Sequence, residues 1–207
     1  MIALSREVAI DPAHAALLII DVQNYCTRVE ALKSDYFRRS LHHTVLPNIR
    51  LLQSACRRAR IEVVFSVIEN MTRDGRDRSL DYKISGIDVP RGSCEARVHD
   101  DIAPGDDEMV FRKTSSSVFI STNIDYVLRN LEVRCLVIAG IMTDQCVESA
   151  VRDGCDLGYL VTLVADACTT ASAERHEQSL IGVQGYCRQR ATQQLLDEIA
   201  GLPPPAV

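Results

Sequence analysis

Three stretches of the chain are apolar almost without interruption: residues 16–21 (ALLIID), 61–68 (IEVVFSVI) and 135–141 (CLVIAGI). Near-continuous apolar runs, rather than alternating ones, are what a parallel sheet covered on both faces requires. Two weaker strand candidates are 108–113 and 160–167 (LVTLVADA). Helical periodicity falls between them, over 44–60, 123–131, 143–157, 172–183 and 192–200. Strand and helix thus alternate. The pattern predicts a three-layer α/β/α fold, Rossmann-like, with a doubly wound, mostly parallel sheet of five or six strands and right-handed crossovers.

Two regions break the rhythm. Residues 70–104 form a long polar stretch with turn signals at Asp74-Gly75 and Pro90-Arg91-Gly92. A loop of that length in a compact domain is usually functional or an interface. The tail 201–207 (GLPPPAV) reads as a frayed end. There is no internal repeat and no low-complexity tract.

Composition narrows the options. With 207 residues and no shift in composition, a single domain over 1–207 is expected. A net charge of −5 argues against nucleic acid or an anionic membrane surface as partner. No apolar run reaches the roughly eighteen residues of a membrane span, and the first residues (MIALSREVAI) lack a signal-peptide pattern, so a cytoplasmic protein is expected. The eight cysteines contain no C-x-x-C pair, and reduced, structural thiols are expected of most. The five histidines show no H-E-x-x-H spacing, and no glycine-rich phosphate-binding motif occurs. Neither a cofactor nor a metal is called for.

In open α/β sheets, sites form at the carboxyl ends of the strands. That rule selects Asp21 at the end of the first run, Lys113 at the end of 108–113, and Cys146 just past 135–141. Thr143 is the expected N-cap of the helix that follows, which places Cys146 in its first turn. Free backbone N–H groups and the helix dipole there favour an anion, so a thiol of lowered pKa, acting as thiolate nucleophile, is expected. A carboxylate beside it can carry its proton, and a lysine can stabilise the charge. Backbone N–H groups in the turn can hold an oxyanion. Each residue alone has a plain reading: a turn aspartate, a solvated lysine, a small buried cysteine. Their convergence is the signal.

With these residues in hand, the chain resembles the isochorismatase-like cysteine hydrolases, which include nicotinamidase, N-carbamoylsarcosine amidohydrolase, ureidoacrylate amidohydrolase and biuret hydrolase. The matching segments are LLIIDVQNY around Asp21, KTSSSVF from Lys113, and GIMTDQCVESAVRDG around Cys146. The resemblance implies a catalytic triad of Asp21, Lys113 and Cys146. It also implies a cis peptide between Ile141 and Met142, with the N–H groups of Met142 and Cys146 as oxyanion hole. Ser117 and Phe119 match the family's continuation after the lysine and are expected to shape the pocket wall.

Departures from the family pattern narrow the substrate. Nicotinamidases carry a metal-binding Asp-x-His and a second histidine after the second strand, whereas the stretch here (VIENMTRDGRDRS) has none. True isochorismatases lack the cysteine. The run CVESAVRDG is closest to ureidoacrylate- and biuret-type members, so the expected activity is metal-independent cleavage of a C–N bond in a small ureido, carbamoyl or amide substrate. Tyr25, Glu69 and Asn70, which follow strand ends, are candidate substrate contacts, with Phe119. A homo-oligomer, dimer or tetramer, is expected from the family. Alternatives are a catalytically idle member that binds a metabolite or protein, a nicotinamidase- or isochorismatase-type activity, and an oxidant-sensing pairing of Cys146 with a neighbour such as Cys26.

Overall fold

The computed structural model describes residues 5–28 and 34–202; most of the tail, from 203 on, lies outside them. Six strands form one parallel sheet in the order β3-β2-β1-β4-β5-β6. They are β1 (Ala15–Ile20), β2 (Glu62–Ile68), β3 (Met109–Lys113), β4 (Cys135–Ile141), β5 (Leu160–Thr169) and β6 (Arg188–Arg190). The chain therefore winds outward from β1 to one edge, then returns to β4 beside β1 and winds to the other. Such a reversal opens a crevice at the carboxyl ends of the two central strands.

Alternate residues of β1 serve two cores, which is why its sequence is apolar throughout. Leu17 and Ile19 pack with Leu46, Ile49 and Leu52 of α3 (Leu46–Ala59) and Leu195 and Ile199 of α9 (Thr192–Ala200). Ala16, Leu18 and Ile20 pack on the opposite face with Ile124 and Leu128 of α6 (Ile124–Asn130) and Ala150 and Val151 of α7 (Glu148–Asp156). Removing each of these branched side chains from water contributes roughly 1.5–3 kcal/mol.

The three-layer reading holds, with differences at the margins. The helix expected over 44–60 is preceded by a wider turn at Leu41–Val45 and closes at Arg60 in the left-handed conformation, φ 58°. β5 runs past 167 to Thr169, because its register against β4 shifts between Ile138 and Gly140. Short elements absent from the hydrophobic pattern also appear: α1 (Asn24–Arg28), α2 (Asp35–Ser40), α4 (Leu80–Ile84), α5 (Val118–Ser121) and the polar edge strand β6. α8 (Ala173–Val183) begins one residue past its cap, Ser172.

Candidate active site

β1 ends by turning Asp21 into the left-handed region, φ 53°. This conformation is uncommon for a residue with a Cβ and is held only where neighbours enforce it. Here Asp21 N–H donates to Ser66 O at 3.0 Å, and Ser66 Oγ donates to Asp21 Oδ1 at 2.8 Å. The carboxylate is therefore anchored through one oxygen. β3 alternates outward and inward, so Arg112 is solvent-facing while Lys113 is fully buried.

The ammonium of Lys113 is the hub. Its Nζ lies 2.8 Å from Asp21 Oδ2 and donates to Tyr82 Oη and Ser115 O, each at 2.9 Å, and to Cys146 Sγ at 3.3 Å. Four partners share three N–H protons. Asp21 Oδ2 is the partner met as an ion pair without an aligned hydrogen bond. That oxygen keeps a lone pair for another proton.

Cys146 follows β4 on a wide turn, Thr143–Val147, in which Gln145 N–H and Val147 N–H both donate to Met142 O, at 3.1 and 3.2 Å. The peptide between Ile141 and Met142 is cis. Thr143 is not the N-cap; Met142 holds that position, and the Thr143 hydroxyl instead meets His176 Nδ1 at 2.8 Å. Ser179 Oγ donates to Thr143 O at 3.1 Å, and Arg175 Nε to Asp144 Oδ2 at 2.6 Å. α8 thus fastens the turn that carries the thiol.

The charge state of the thiol differs from expectation. Burial pushes Cys146 up to about 12; Lys113 pulls it down, and the Asp21 carboxylate pushes it up again. With Cys146 only 6% exposed, desolvation outweighs the turn's N–H groups. Burial also works against the charge of Lys113, but Asp21 foremost, with Cys146 and Tyr82, holds its pKa well above the ordinary value. Burial thus disfavours a free thiolate at Cys146, beside the Asp21–Lys113 ion pair.

These groups open on a cavity of about 430 Å³ lined by Asp21, Tyr25, Cys26, Ile68, Asp81, Tyr82, Met142 and Cys146, among others. Of the expected substrate contacts, Tyr25 is on its wall. The other three are placed elsewhere. Glu69 is buried, accepting from Gly92 N–H at 2.8 Å and pairing with Arg112 Nε at 2.9 Å. Asn70 donates to Asp88 Oδ1 at 2.7 Å and ties the long loop to β2 through its own N–H and Val89 O. Phe119 stacks on Tyr159, 5.9 Å between ring centroids, and Ser117 caps α5 by accepting from Phe119 N–H. Their burial is satisfied by the fold itself.

Tyr82 is the residue that sequence reading passed over. It comes from the 70–104 stretch, on the five-residue α4, and is 1% exposed. Its Oη lies 3.7 Å from Cys146 Sγ. The one signal available was the stretch itself, too long to be a simple connection.

The isochorismatase domain model matches residues 15–194, and the chain belongs to the isochorismatase family. Its fold is shared with a cysteine hydrolase from Pseudomonas syringae pv. phaseolicola, at TM-score 0.84 and 23% identity over 97% of this chain and 99% of that one. It is also shared with an N-carbamoylsarcosine amidase from Thermoplasma acidophilum, at TM-score 0.71 and 21% identity over 86% and 96%. An isochorismatase-like hydrolase from Alkaliphilus metalliredigens is similar at TM-score 0.72 and 22% identity over 88% and 97%. Among the described residues, no helix is long and apolar enough to cross a membrane, and no group of three or more His, Cys, Asp and Glu could hold a metal ion.

Proposed function

We propose that this protein is a cysteine amidohydrolase that cleaves a C–N bond in a small ureido, carbamoyl or amide substrate without a metal. The observation that carries the reading is the single ammonium, Lys113 Nζ, standing 2.8 Å from the Asp21 carboxylate and 3.3 Å from the Cys146 sulfur. An acid, a cation and a nucleophile are thereby joined at the wall of one cavity, whose volume of about 430 Å³ suits a small molecule. The likeness to a structure named for N-carbamoylsarcosine adds the substrate class.

The chemistry follows from the charges. Asp21 Oδ2 takes the proton of the Cys146 thiol as sulfur attacks the substrate carbonyl carbon, so that no free thiolate need accumulate in the buried site. Negative charge moves onto the carbonyl oxygen, where the N–H groups of Met142 and Cys146 receive it. The C–N bond breaks as Asp21 returns the proton to the leaving nitrogen, releasing ammonia or an amine and leaving an acyl-thioester. Water then gives a proton to Asp21 and attacks the same carbon. The C–S bond breaks and sulfur takes the proton back. Lys113 stays charged throughout, balancing first the carboxylate and then the sulfur.

The reading takes the protein to work as a homo-oligomer, dimer or tetramer, as the family resemblance implies. The test of function is ammonia release by the purified protein from biuret, ureidoacrylate-like compounds, N-carbamoyl amino acids and nicotinamide. Turnover of a ureido or carbamoyl compound is expected; turnover of none of the four classes overturns the reading.

A further inference from the structure

The hydroxyl of Tyr82 is within reach of both the ammonium and the sulfur of the site. It accepts from Lys113 Nζ at 2.9 Å, donates to Ser115 O at 2.9 Å, and lies 3.7 Å from Cys146 Sγ. The ammonium also sits 5.5 Å from the centre of its ring. A phenol has one proton to place. Its shorter acceptor is the Ser115 carbonyl, at 2.9 Å, and Cys146 Sγ at 3.7 Å is the alternative. Ser115 O receives a second hydrogen bond from Lys113 Nζ, also at 2.9 Å. The Tyr82 proton can therefore turn away without leaving a buried carbonyl unpartnered, which would otherwise oppose the motion. Burial raises the pKa of Tyr82, so the hydroxyl keeps its proton and serves as a donor rather than a base.

We propose that Tyr82 is a catalytic residue: its O–H rotates from the Ser115 carbonyl to Cys146 Sγ as the thiol proton leaves, and it stabilises the developing thiolate. The proposal rests on the reading of Cys146 as nucleophile. No bond to the phenolic proton breaks; the thiol proton passes to Asp21 and later to the leaving nitrogen, while the Tyr82 proton changes only its acceptor. The groups facing the sulfur are Asp21 at the end of β1, Lys113 on β3, Cys26 on α1 and Tyr82 on α4, with Asp81 lining the same cavity. Of these, Lys113 and Tyr82 carry strong donors, and two of the three Lys113 protons go to the Tyr82 oxygen and the Ser115 carbonyl, leaving one for the sulfur. A second donor is what an anionic sulfur in this site requires.

The test is alkylation of Cys146 by iodoacetamide in Tyr82→Phe, followed by peptide mass mapping across about pH 7 to 10. The variant keeps the ring and loses the donor. Alkylation is expected to slow about tenfold or more at each pH, the loss of one hydrogen bond to a charged group, and kcat to fall by a similar factor with KM unchanged. An unchanged alkylation rate overturns the proposal, even if hydrolysis falls, because Tyr82 would then act on substrate and not on sulfur. Should Tyr82→Phe fail to fold, difluorotyrosine at the same position decides: its more acidic phenol is a stronger donor, so alkylation must accelerate, and no change overturns the proposal. Alkylation needs no substrate, so the role of Tyr82 is judged separately from whether any amide is hydrolysed.

Discussion

Gly140, one residue from the end of β4, lies flat against Ile20, the last residue of β1. A Cβ on Gly140 would stand 2.2 Å from the Ile20 carbonyl oxygen and 2.6 Å from its nitrogen, and the glycine's φ is +128°. These two strands deliver Asp21 and the Cys146 turn, so their close approach at the point where the sheet reverses sets the spacing of the site.

Gly140→Ala should therefore destabilise the fold by on the order of 3 kcal/mol, since the Ile20 backbone cannot yield as a flexible side chain would. Thermal unfolding should show a Tm lower by roughly 6–12 °C. A Tm equal to wild type would mean that the seam is looser than described.

Replacing Asp21 separates its two effects by sign. The carboxylate raises the thiol's pKa, and removing its charge leaves Lys113 unopposed. Asp21→Asn should speed alkylation of Cys146 while slowing hydrolysis by about 10²–10⁴, the usual contribution of a general base. Asparagine tolerates the left-handed backbone, so the fold should survive. Both rates falling together would argue that the variant has merely disordered the site.

The wild-type thiol should behave as a thiol. Burial raises its pKa to about 12, so the anion is a small fraction at neutral pH and grows about tenfold per unit on the alkaline side. Alkylation at Cys146 should climb steadily between about pH 7 and pH 10 without levelling. Peptide mapping is needed because Cys94 is exposed and will also react. A plateau near neutrality would show a resting thiolate.

Lys113→Met keeps the length of the side chain but leaves the Asp21 carboxylate, 1% exposed, without its counter-charge. Breaking a buried pair from one side costs about 3–5 kcal/mol. Urea unfolding should give a loss in that range together with loss of hydrolysis. A stable, active variant would remove the lysine from the account.

Much of this was legible in the chain because the relevant residues end apolar runs. β4 was read to the residue; Asp21 and Lys113 follow from where a strand stops, and Cys146 from the turn that leaves β4. β6 was not legible: it reads Arg-Gln-Arg, and Arg188 is buried through Thr162 and Glu198 rather than through apolar character. Tyr82 was missed because a five-residue helix inside a polar stretch carries no usable period. The thiol's protonation was misjudged because local turn geometry favours an anion, while the opposing desolvation depends on how the whole molecule closes over the sulfur. Glu69 and Asn70 looked like ligands because they follow a strand end, and the backbone of the long loop, with Arg112 and Asp88, supplies their partners instead.

The central claim is that sulfur, carboxylate and ammonium act as one nucleophilic unit. It is tested most directly by ammonia release from Cys146→Ala, on whichever compound the wild-type protein hydrolyses fastest. The account predicts a variant that unfolds at the wild-type temperature and releases no ammonia above the uncatalysed background. Steady turnover by that variant would contradict it, because the carbonyl would then be attacked by something other than the Cys146 sulfur, such as water or the Cys26 thiol on the same cavity wall.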